Sequence, residues 1–84
     1  MATAKFCGVD FWCAANFKTE SGHYFCCLEL LIDGSKDEAE RQVHTIIELV
    51  NSGQLDLHYK GRNIDDDPIG PVKGITLSPE VEFS

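Results

Sequence analysis

Eighty-four residues make one domain, and a chain this short buries only roughly 60–65% of the surface its unfolded form exposes. There is room for one sheet and one or two covering helices, and little for a deep active-site cavity. Seven Lys and Arg stand against fourteen Asp and Glu, a formal charge of −7. That field repels a phosphate backbone, so direct nucleic-acid binding is excluded on charge.

The acid excess is uneven: residues 1–36 carry three bases and four acids, whereas residues 37–84 carry four bases and ten acids. A basic protein surface would be attracted to such a chain. No apolar run reaches membrane-span length. The N-terminus, Met-Ala-Thr-Ala-Lys-Phe, lacks the apolar segment of a signal peptide. A cytoplasmic protein is expected, and its four cysteines read as reduced thiols filling a core.

Phe6 to Asp33 holds two long apolar runs joined by Lys18-Thr19-Glu20-Ser21-Gly22 and reads as one β-hairpin. In the first run the odd positions Cys7, Val9, Phe11, Cys13, Ala15 and Phe17 form the core face. In the second run the even positions Tyr24, Cys26, Leu28, Leu30 and Ile32 do so. Matching these faces requires opposed residue numbers to sum to an odd value, 41 or 43 with Gly22 in the turn, or 39 without it. The other face then carries Phe6, Trp12, Ala14, Phe25, Cys27 and Leu31 beside Asp10, Asn16 and Glu29. So apolar an outer face calls for a cover: the chain's own tail, a second copy or a foreign partner.

A helix is predicted over 36–51. Ser35 with Glu38 fits a capping box, and Asp37, Glu38 and Glu40 suit the positive end of the helix. Ala39, Val43, Ile46, Ile47 and Val50 form a single apolar stripe, which should seal Phe11, Cys13, Leu28 and Leu30. Gly53 is suited to end the helix.

Leu55, Leu57 and Tyr59 alternate with polar residues, a strand over 55–60. Residues 61–71 form a loop containing Asp65-Asp66-Asp67, followed by a C-terminal strand and tail over 72–84. Within it Val72–Leu77 reads as a strand weakened by Gly74. The fold class is therefore α+β: a two-layer, largely antiparallel sheet in the order ββαβ(β), covered on one face by one amphipathic helix.

Nothing in the chain carries catalytic chemistry. No phosphate loop is present, the three histidines are scattered, and no C-x-x-C occurs. No cofactor or metal is expected, and the chain reads as a non-enzyme. The short acidic domain, the hairpin-plus-helix build and the lack of catalytic residues together resemble, at the level of profile, the small phage-encoded inhibitors, anti-CRISPR proteins above all. That resemblance implies a cytoplasmic, protein-binding inhibitor in a phage host, which occludes a nucleic-acid or subunit surface of a CRISPR effector. The acids Asp65, Asp66, Asp67, Glu80 and Glu82 would then stand in for phosphates. With Asp10, Trp12, Phe25 and Glu29 on the outer hairpin face, they are the expected partner contacts. Two alternatives remain: an immunity-, antitoxin-type or homodimeric accessory module using the apolar hairpin face, and a small metal-dependent enzyme or factor using Asp65–Asp67.

Overall fold

A computed structural model describes residues 2–81. The fold is α+β, with six strands and one helix: β1 (Ala2–Val9), β2 (Ala14–Thr19), β3 (Tyr24–Leu31), α1 (Lys36–Asn51), β4 (Leu57–Gly61), β5 (Gly70–Val72) and β6 (Ile75–Leu77). The sheet order is β5-β4-β3-β2-β1-β6, and only the β1–β6 contact is parallel.

The expected first strand is in fact two strands. Asp10-Phe11-Trp12-Cys13 turns the chain back on itself, so that Phe6 stands opposite Phe17 and Val9 opposite Ala15. The turn closes with Cys13 N–H donating to Asp10 O at 3.0 Å and Asp10 N–H donating to Ala14 O at 3.1 Å. The β2–β3 turn has the same build, with Gly22 N–H donating to Thr19 O and Thr19 N–H to His23 O, both at 3.0 Å. Each is a three-residue loop whose last residue has positive φ, 64° at Cys13 and 90° at Gly22.

That loop length overturns the expected register. Phe17 pairs with Phe25 and Asn16 with Cys26, numbers that sum to 42. Period two then reverses the faces of β3. Phe25 and Cys27 point into the core with Phe6, Ala15 and Phe17, whereas Tyr24 and Cys26 lie on the opposite side. Phe25, expected as an outer contact, is buried. Phe11, Cys13, Leu28 and Leu30, expected beneath the helix, are exposed.

The helix follows its sequence closely. Ser35 Oγ accepts from Glu38 N–H at 3.3 Å, and the capped helix buries Ala39, Val43, Ile46 and Ile47. Gly34, with φ 93°, sits against the Glu38 side chain, where any Cβ would collide with it. The stripe packs on the sheet face formed by Ala4, Phe6, Ala15, Phe17, Phe25, Cys27, Leu57 and Leu77. Asn51 joins the helix end to the sheet edge: its amide donates to Leu77 O at 3.0 Å and its carbonyl accepts from Leu77 N–H at 2.8 Å. This reciprocal pair occupies backbone groups of an edge strand that would otherwise be open to pairing.

The expected strand Val72–Leu77 is broken at Gly74, φ 83°, and its halves pair with opposite edges of the sheet. Six flat strands would set their edges about 24 Å apart. Val72 and Ile75 are three peptides apart and span at most about 11 Å. The sheet is therefore strongly curled, and the segment 70–77 bridges β4 and β1. The tail does not cover the outer hairpin face within the described residues; Glu82 and Phe83 lie outside them.

Candidate functional site

The site is built on Asp10. Its Oδ1 accepts from Trp12 N–H at 2.9 Å and Ala14 N–H at 3.0 Å, an Asx-type closure of the turn. Its Oδ2 accepts from Asn16 Nδ2 at 2.9 Å and from Lys60 Nζ at 2.8 Å. The Lys60 ammonium donates also to Asn16 Oδ1 at 3.0 Å and to Ile64 O, so all three of its protons are used. Both charged side chains of the pair are sealed, 0% exposed for Lys60 and 1% for Asp10. Burial by itself raises the Asp10 pKa. The hydrogen bonds from Asn16, Lys60 and Ala14 N–H, with the Lys60 charge, outweigh it and hold the carboxyl below its ordinary range.

This lock lies on the side of the sheet away from the helix. It ties three segments together: the β1–β2 turn through Asp10, β4 through Lys60, and the acidic loop through Ile64. Trp12 closes it over, with Lys60 Nζ 5.6 Å from the ring centroid. Phe11 meets Trp12 edge to face at 6.1 Å between centroids.

Beside the turn, β3 departs from β2. Ala15 pairs with Cys27 but Ala14 pairs with Leu31, so Leu28-Glu29-Leu30 has no partner in β2. A bulge of this kind re-aims side chains. Leu28, Leu30 and Leu31 are exposed in consequence, next to Trp12 at 45% and Phe11 at 89% exposure. Trp12, Leu28, Leu31, Asp67 and Pro68 line one open hollow of about 430 Å³. Leu30 and Leu31 line another of about 380 Å³ with Glu38, Arg41, Gln42 and Thr45 of α1. Leu31 is the ridge between them.

The expected contacts divide. Trp12 and Asp67 meet in one hollow, Glu29 lies within the bulge, and Asp65 and Asp66 are exposed in the same loop as Asp67. Asp10 lies under the patch as its support, with its carboxylate fully engaged. Phe25 is in the core. Glu80 lies on the β6 edge, paired with Lys5 at 2.9 Å, and Glu82 is outside the described residues. Phe11, Leu28, Leu30 and Lys60 are the members that sequence reasoning missed. One signal was present: a lone Asp in an apolar run, followed at i+2 and i+4 by amides it can cap.

Burial pushes the Cys26 thiol up to about 11 and raises Cys7, whose Sγ lies 3.4 Å from Asn16 O. Among the described residues no group of three or more His, Cys, Asp or Glu is arranged to hold a metal ion, and no helix is long and apolar enough to cross a membrane. Compared with known proteins, the chain matches no family model, no curated protein and no solved structure.

Proposed function

We propose that this protein is a small binding inhibitor that docks on another protein through the patch Phe11, Trp12, Leu28, Leu30 and Leu31. The observation that carries the reading is the patch itself: five large apolar side chains exposed on a turn and the adjoining bulge, the turn held from beneath by a saturated charge pair. Exposed clusters of this kind cost solubility and mark interfaces, and aromatic anchors dominate binding energy. A rigid support lowers the ordering cost of association. The acids around the patch and the net charge of −7 favour a partner with a basic surface.

The profile shared with anti-CRISPR proteins makes a CRISPR effector the first partner to test, with occlusion of its nucleic-acid or subunit surface as the mode of action. The test is target-DNA loading by purified effector complexes in the presence of wild type or of a Trp12→Ala/Leu31→Ala variant. Wild type should block loading, and the variant should lose about tenfold or more in potency while keeping its circular dichroism spectrum. Complexes that load DNA unimpeded remove the CRISPR reading. A variant as potent as wild type removes the patch.

The same patch also supports a homodimeric module. Light scattering separates the two readings: a dimer that the double variant turns into a monomer assigns the patch to a second copy.

A further inference from the structure

The two hollows beside Leu31 have unlike walls, and the difference selects the one that takes an anchor. The first, lined by Trp12, Leu28, Leu31, Asp67 and Pro68, is almost wholly apolar. The second has Leu30 and Leu31 on one side, but Glu38, Arg41, Gln42 and Thr45 of α1 complete it and make it the more polar. A charged or amide group placed in the first would give up water and find little to replace it. A large apolar side chain loses nothing there and covers surface that is otherwise wetted. The wall is also set in advance. Phe11 meets the Trp12 ring edge to face at 6.1 Å, and Lys60 Nζ lies 5.6 Å from its centroid. A preset wall spares part of the ordering cost of binding.

Charge identifies what surrounds the anchor. Residues 28–33 and 61–70 supply four of the five lining residues. They hold five acids, Glu29, Asp33, Asp65, Asp66 and Asp67, against one base, Arg62. All five acids are exposed. A second copy of this chain would bring the same acids to the contact, and a nucleic acid would bring phosphates; both are repelled. A basic protein segment is attracted.

We infer that the hollow of Trp12, Leu28, Leu31 and Pro68 takes a large apolar side chain of a partner protein, on a segment whose neighbouring residues are lysine or arginine. The anchor fills the hollow while its basic neighbours meet the exposed acids of residues 28–33 and 61–70. This deepens the docking reading and rests on it.

The chain has one tryptophan, and it lines the hollow, so its fluorescence reports occupancy. The probes are three capped peptides: a leucine flanked on each side by two lysines, the same peptide with serine for leucine, and the leucine peptide with glutamates for lysines. The first should give a saturable change in emission. Each of the others should bind about tenfold more weakly. Leu28→Ala should abolish the preference for leucine over serine and leave that for lysine over glutamate. Asp65→Asn/Asp66→Asn should do the reverse, and Glu20→Gln, in the far turn, should change neither. An unchanged circular dichroism spectrum confirms that each variant is folded.

Equal binding of the leucine and serine peptides would leave charge alone and overturn the anchor. Equal binding of the lysine and glutamate peptides, or no saturable change with any peptide, would overturn the basic segment. Each outcome would leave the docking reading to its own inhibition test. A dimer in light scattering that Leu28→Ala dissociates would put a second copy in the hollow and overturn the foreign segment as occupant.

Discussion

Lys60 Nζ lies 2.8 Å from Asp10 Oδ2 across fifty positions of sequence, with both side chains shut off from solvent. A buried pair is weak evidence of net stabilisation, because desolvating two charges offsets much of their attraction. Its value here is positional. Asp10 sets the turn that presents Phe11 and Trp12, and Lys60 holds that turn against β4 and the acidic loop.

Breaking the pair on one side leaves a buried charge without its counterion. Lys60→Met should therefore destabilise by about 3–5 kcal/mol in urea unfolding, a large part of the stability of a domain this size. Adding Asp10→Asn keeps acceptors for the turn amides and removes the stranded charge. The double variant should recover about half of the loss. A double variant as unstable as the sum of the singles would mean that the two side chains act independently.

The lowered Asp10 pKa makes the lock sensitive to acid. A carboxyl bound more weakly by protons in the folded state than its ordinary value of 3.8 adds stability that is complete above that value. The contribution drains away as pH falls through 3.8 toward the lower folded value. Urea midpoints measured against pH should therefore fall more steeply in acid for wild type than for Asp10→Asn. Parallel curves would show that another carboxylate dominates acid unfolding.

Cys13 occupies the left-handed position of its turn, φ 64°, where the matching turn has Gly22. A side chain there costs about 1–2 kcal/mol, and glycine returns part of this as unfolded-state entropy. Cys13→Gly should stabilise the protein by about 0.5–1 kcal/mol, read from the shift in unfolding midpoint. A loss of stability would indicate that the thiol contributes packing that outweighs the strain.

The four thiols should divide evenly. Cys7 and Cys13 are exposed, Cys26 and Cys27 buried. A chromogenic disulfide reagent should titrate two thiols in the native protein and all four only in denaturant, since the thiolate is the reactive form and burial holds Cys26 at about 11. Fast reaction of a third thiol would reveal opening of the sheet in its middle strands.

What the sequence by itself determined is local. The helix from Lys36 to Asn51 and its Ser35 cap follow from spacing and capping chemistry alone, and of the expected stripe Ala39, Val43, Ile46 and Ile47 are buried and Val50 half-buried. The strand content of both apolar runs and the loop character of the aspartates follow likewise. The faces of the hairpin could not be read this way, because they depend on loop length. Two three-residue turns, one of them closed by a cysteine in glycine's usual place, reverse the parity on which every inward and outward assignment rests. Tertiary structure alone decided the rest. The kink at Gly74 sends adjacent short strands to opposite edges. The bulge at Leu28–Leu30 turns expected core outward. A lysine and an aspartate fifty residues apart meet under Trp12, where their own contact, Asn16 and nearby backbone groups replace the water that burial removes.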